Sequence, residues 1–71
     1  MIFDYSKLRG KITEIYGSQL AFVKDLGTSE NTFSRKLNNK VRFSVDDIIL
    51  IIKLLNIQTY EIGEYFFTVK V

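Results

Sequence analysis

The sequence predicts an all-α domain of five short helices, and three observations carry that prediction. Apolar residues return at steps of three and four through most of the chain, glycine or asparagine interrupts them at helix-length intervals, and serines or aspartates stand where helices need caps. The chain has 71 residues, 46% of them apolar and 25% charged, and contains no proline, cysteine, histidine or tryptophan. That length suits one domain over residues 1–71. A chain so short buries only about 60% of its unfolded surface, and without cysteine or histidine it has neither a disulfide nor a zinc site to compensate. Its stability has to come from packed helices, from a partner chain, or from both.

Tyr5, Leu8, Ile12 and Ile15 form the apolar stripe of a first helix over about 5–16, with Asp4 or Ser6 as its cap and Gly17 as its stop. Gly10 falls inside that helix at about 1 kcal/mol relative to alanine, which close approach of a neighbour or simple tolerance would explain. Ser18 is placed to cap a second helix, Gln19–Leu26, with Leu20, Phe22, Val23 and Leu26 on its buried side and Gly27 as a left-handed exit. Ser29 caps a third, about Glu30–Asn38, where Phe33 and Leu37 lie one turn apart and the rest is polar or basic. Asn38 and Asn39 supply its left-handed exit.

Ser44 and Asp47 stand in the relation of a capping box, with Phe43 and Ile48 as the hydrophobic staple of a fourth helix over about 45–55. Its apolar residues, among them Ile48, Ile49, Leu50, Ile51, Ile52 and Leu54, surround the axis. Such a helix asks for burial on all sides, with any excess covered by a second subunit. Thr59 can cap a short fifth helix over Tyr60–Glu64, and the tail alternates Tyr65, Phe67, Val69 and Val71, which allows a short strand if something pairs with it.

The composition speaks against a conventional enzyme, because the commonest general base, metal ligand and thiol nucleophile are all missing. No phosphate-binding glycine loop or metal-ligand spacing is present, and no cofactor is expected. Asp46 and Asp47 could suggest paired carboxylates, but capping and helix-dipole complementarity account for them better. With no signal-like N-terminus, no apolar run near the ~18 residues that span a bilayer, and no thiol, the chain reads as soluble and cytoplasmic. Its net charge is +2, unevenly spread: residues 1–42 hold eight Lys/Arg against four acids, and residues 43–71 hold two against four. The N-terminal part is therefore the one that would face a polyanion.

A helix, a short glycine-containing turn and a second helix form the shape of a helix-turn-helix unit, here running from Gln19 to about Asn38. Phe22, Leu26 and Phe33 are apolar where the two helices must pack, and Val23 is small where they cross. Through Gln19, Phe22-Val23, Leu26-Gly27, Ser29, Phe33-Ser34 and Asn38-Asn39-Lys40 the chain resembles the lambda-repressor-like, Xre-type DNA-binding domains of phage repressors and Cro proteins. Through residues 5–12, 36–41 and 64–67 it is similar, over nearly its whole length, to small repressor-like proteins of Gram-positive phages and prophages. Thr28 and Lys36 depart from the broad pattern, which favours apolar residues there, and Ile12 and Leu37 stand where some members bury an ion pair.

The resemblance implies a sequence-specific transcriptional regulator that inserts its third helix into the major groove of a double-stranded DNA operator. Glu30, Asn31, Thr32, Ser34 and Arg35 then lie where the family reads bases, Arg35 suited to guanine, Asn31 to adenine and Glu30 to a cytosine amino group. Ser18 and Gln19 would meet a phosphate at the start of the second helix, and Asn38, Lys40 and Arg42 would hold the DNA backbone beyond the third. Lys7 and Lys36 read as general electrostatic contributors. A homodimer is expected through the fourth and fifth helices and the tail. The rival reading is a protein-interaction module, of antirepressor or antitoxin type, that keeps the frame but binds another protein. The modest net charge and the acidic Glu30 on the reading face keep that rival open beside the DNA-binding reading.

Overall fold

The first four helices of the computed structural model, which describes all 71 residues, each begin where a side chain accepts a backbone N–H. The first, α1 (Ser6–Tyr16), starts one residue later than its apolar pattern, because the Asp4 carboxylate accepts from the Ser6 N–H at 2.8 Å and the Ser6 hydroxyl at 2.5 Å. Gly17 ends it at φ 81°, its N–H bonded to the Thr13 carbonyl. In α2 (Gln19–Leu26) the Ser18 hydroxyl accepts from the Ala21 N–H, and Gly27 closes the helix at φ 82°. The Ser29 hydroxyl caps α3 (Glu30–Leu37) through the Thr32 N–H, and it is Asn39, not Asn38, that takes the left-handed exit, at φ 62°.

Both bonds of the expected capping box open α4 (Val45–Leu54): the Asp47 N–H donates to the Ser44 hydroxyl at 3.0 Å and the Ser44 N–H to the Asp47 carboxylate at 2.9 Å. The last helix differs from expectation at its start. Thr59 does not cap it but opens a 3-10 turn, Thr59–Glu61, which leads into α5 (Ile62–Phe66). The entry N–H, of Gln58, is satisfied by the Glu61 carboxylate at 3.1 Å, so no hydroxyl cap is needed.

Twelve residues form the core, among them Leu8 and Ile12 of α1, Phe22 and Val23 of α2, Phe33 and Leu37 of α3, Ile51 of α4 and Phe66 of α5. α2 lies centrally, packed on α1, α3 and α4, and α5 closes over α1. Of the predicted stripes of α1 and α2, Leu26 is only partly buried against this core, and Ile15 and Leu20 lie outside it, 45% and 51% exposed. Their helices carry more apolar surface than the neighbouring helices cover. The same holds more strongly for α4, where only Ile51 is fully enclosed while Val45, Ile49 and Leu50 face outward. Burial on all sides is therefore not achieved within one chain, because α4 packs against α2 and lies at the edge of the bundle.

Aromatic rings join the helices in a continuous series of tilted and edge-on contacts. Tyr16 meets Phe22, Phe22 meets Phe33, and Phe33 meets Phe43, with centroids 5.1, 5.5 and 5.7 Å apart. Phe43, in the loop before α4, also contacts Tyr5 at 5.2 Å and Phe66 at 5.5 Å. From Tyr5 the series continues to Phe3 and from there to Phe67. Such pairs contribute about 0.5–1.5 kcal/mol each beyond their buried area.

The tail does not form the strand that its alternation allows. Tyr65 and Phe66 belong to α5, and the segment after them makes a single antiparallel bridge, Phe3 with Val69. The Asp4 N–H donates to the Thr68 carbonyl at 2.7 Å and the Lys70 N–H to the Ile2 carbonyl at 2.8 Å. On its other side Phe3 is held by Asn39, whose side-chain oxygen accepts from the Phe3 N–H at 2.9 Å while its amide donates to the Phe3 carbonyl at 3.0 Å. Arg42 donates to the Met1 carbonyl and to Asn39, and its guanidinium lies 4.8 Å from the centre of the Phe3 ring.

Two substitutions check these assignments. Nothing lies within 4 Å of a Cβ placed on Gly10, so tolerance and not close approach explains it, and Gly10→Ala should raise the unfolding free energy by about 0.5–1 kcal/mol in urea titrations. Asn39→Ala should lower it by about 2–3 kcal/mol and Asn39→Gly by about 1–2, since glycine keeps the left-handed backbone and loses only the amide bonds. Equal losses would show that the backbone conformation contributes nothing.

Candidate functional site

The turn Gly27–Ser29 sets α2 and α3 against each other. The N–H groups of Gly27 and Thr28 both donate to the Val23 carbonyl, which ends α2 tightly, and Ser29 restarts the chain as a helix. Beneath, the Phe22 and Phe33 rings lock the pair. Above, the Gln19 amide donates to the Ser34 hydroxyl at 2.9 Å, tying the start of α2 to the middle of α3. The result is a rigid helix-turn-helix frame with one face of α3 turned to solvent.

That face presents four of the five residues expected to read bases. Glu30, Asn31, Thr32 and Arg35 are exposed, and Arg35 forms no ion pair. The Thr32 hydroxyl is used locally, accepting from Ser29. Ser34 is half-buried under Gln19.

The residues expected against the DNA backbone stand differently. Ser18 is occupied as a cap and Gln19 by Ser34. Asn38 is exposed and accepts one long bond, 3.4 Å, from Arg9. Lys40 is exposed and unpaired. Arg42 holds the N-terminal segment, as described. The two lysines read as general contributors are engaged as well. Lys7 pairs with Glu64 at 2.9 Å and lies 4.9 Å from the centre of the Tyr65 ring, and Lys36 pairs with Asp47 at 2.6 Å.

The Lys36–Asp47 pair is the one partly buried ion pair, with side chains 19% and 29% exposed. It forms part of the wall of a cleft of about 240 Å³ between the turn and α4, lined also by Leu26, Thr28 and Leu50. Burial of Asp47 works against its ionisation, but hydrogen bonds from Lys36 and from the Ser44 N–H overcome this and hold its carboxyl below the usual range. Lys36 thus explains a departure from the apolar pattern: it fastens α3 to the capping box of α4. Asn39 is the structural residue that local reading undervalued. Its preference for a left-handed turn was legible, whereas its grip on a peptide 36 residues away was not.

No group of three acidic side chains gathers to hold a metal ion, and no helix is long and apolar enough to cross a membrane. The α2–α3 unit is thus a braced two-helix frame whose exposed face carries polar groups of both signs. The chain belongs to the family described as protein of unknown function DUF739, whose model matches residues 1–69. It is also similar to a solved structure, the modulator of repression (MOR) of the temperate bacteriophage TP901-1 from Lactococcus lactis. That likeness has 45% sequence identity and a TM-score of 0.84, and covers 100% of this chain and 96% of the other. No curated protein matches. The likeness is to a phage regulatory protein and not to an enzyme.

The ion pair carries a pH signature. Because the folded Asp47 pKa is lowered, its contribution is present at neutral pH and is lost as pH falls below about 4 through the folded value. Asp4, lowered mainly by its bonds from Ser6, acts in the same direction. Chemical denaturation between pH 7 and pH 2 should show stability falling with acid, and Asp47→Asn should flatten that slope. An unchanged slope would remove the pair from the account.

Proposed function

We propose that this protein is a phage regulatory factor that acts on repression by binding another protein, the repressor of the same genetic switch, through a helix-turn-helix frame. The observation that carries this reading is the likeness, along the whole chain, to a modulator of repression. The state of the side chains supports it. A surface that grips duplex DNA needs several free cations against phosphates, yet Arg42, Lys36 and Lys7 are all engaged within the chain. On α3 and its exit Arg35 and Lys40 are the cations left without a hydrogen-bond or ion-pair partner, since Lys36 holds Asp47 and Arg42 holds Asn39 and the Met1 carbonyl, and Glu30 opens the same helix. Polar groups of both signs suit a charged protein surface better than a uniform polyanion. Glu30, Asn31, Thr32 and Arg35 are the side chains offered to that partner, and the cytoplasm of the host cell is where the encounter takes place.

Operator binding by the chain itself is the second reading, favoured by the exposure of Asn31 and Arg35, the two side chains best suited to adenine and guanine edges. Calorimetry with the repressor of the same genetic switch, and gel shifts of its operator with each protein alone and with both, separate the two. The expected result is a complex with the repressor, a repressor–operator shift altered by this chain, and no shift by the chain alone at low salt. Arg35→Glu should weaken the complex about tenfold or more with the fold intact by circular dichroism. Operator binding by the chain alone, falling with salt at a log–log slope of about −0.9 per phosphate, together with no complex, would overturn the proposal in favour of the DNA reading.

A further inference from the structure

α4 has an apolar surface that its own chain leaves uncovered, and the charges on that surface are arranged with a symmetry of their own. Val45 is 72% exposed, Ile49 45% and Leu50 42%. At 100° per residue, Asp46 and Lys53 fall on the same outward line, two turns and about 10.5 Å apart, with Ile49 and Leu50 on either side of the midpoint. Both charged residues are exposed, and neither takes part in an ion pair within the chain.

We propose that this face of α4 docks against the same face of a second copy of the chain, the two helices running antiparallel about a two-fold axis between Ile49 and Leu50. In a two-fold contact each residue meets its counterpart's reciprocal partner. Asp46 of one copy therefore faces Lys53 of the other, twice, and the apolar residues between them are covered. In a parallel arrangement Asp46 would face Asp46 and Lys53 would face Lys53, so the charges select one orientation. A ten-residue helix is about 15 Å long, and one such face falls short of the ~800 Å² per partner found in stable complexes. The dimer is accordingly weak.

Sedimentation equilibrium of the full chain, from about 10 µM to 1 mM at low salt, tests this. Wild type should show a reversible monomer–dimer equilibrium. Asp46→Lys or Lys53→Asp alone should weaken it about tenfold, since each places like charges at two symmetry-related sites. The double variant Asp46→Lys with Lys53→Asp should recover dimerisation. It carries both changes unfavourable to the helix dipole, so recovery cannot arise from helix stability, and circular dichroism confirms that each variant is folded. A single monomeric species throughout the range, a dimer indifferent to the charge reversals, or a double variant as weak as the single ones would each overturn the proposal.

Discussion

Phe43 is the constraint on which the rest of this fold depends. It sits in a loop, outside every helix, yet its ring touches Phe33 of α3, Phe66 of α5 and Tyr5 before α1. No other ring makes three such contacts. The next residue, Ser44, caps α4, and the Asp47 that completes the cap also holds Lys36 of α3. One short loop therefore fixes the position of four helices, by ring contacts on one side and an anchored carboxylate on the other. A chain without disulfide or metal needs such a node, because helices of five to eleven residues are too short to hold themselves in water.

The parts of the fold legible in the sequence are those decided by near neighbours. Ser18, Ser29, Ser44, Gly17 and Gly27 act within four residues of themselves, so each could be read as a cap or an exit. The unread parts are long-range. Asn39 was legible as a turn residue but not as a clamp on Phe3, and Lys7 and Lys36 were legible as cations but not as partners of Glu64 and Asp47. Periodicity likewise identifies an apolar stripe without saying how much of it a neighbour covers. That is why Ile15 and Leu20 remain in the open and why α4 keeps a bare side.

The candidate site divides along the same line. The outward face of α3 was legible because a capped helix with Phe33 and Leu37 beneath must expose Glu30, Asn31 and Arg35. What could not be read was which polar groups the fold had already taken. Gln19 and Arg42 have donors suited to phosphate, and here those donors brace the frame and the N-terminal segment. The two-helix scaffold is kept while these donors are turned inward, which leaves few unpartnered polar side chains on its outer face.

The bridge between Phe3 and Val69 joins segments separated by almost the entire chain. Closing so long a loop carries a larger entropic penalty than closing the α2–α3 unit, which spans about twenty residues. Assembly and breathing should therefore be ordered: the reading unit forms early and exchanges its amide protons slowly, and the terminal clasp forms last and opens first. In that order the ends can release while the packing of α2 on α3 stays intact.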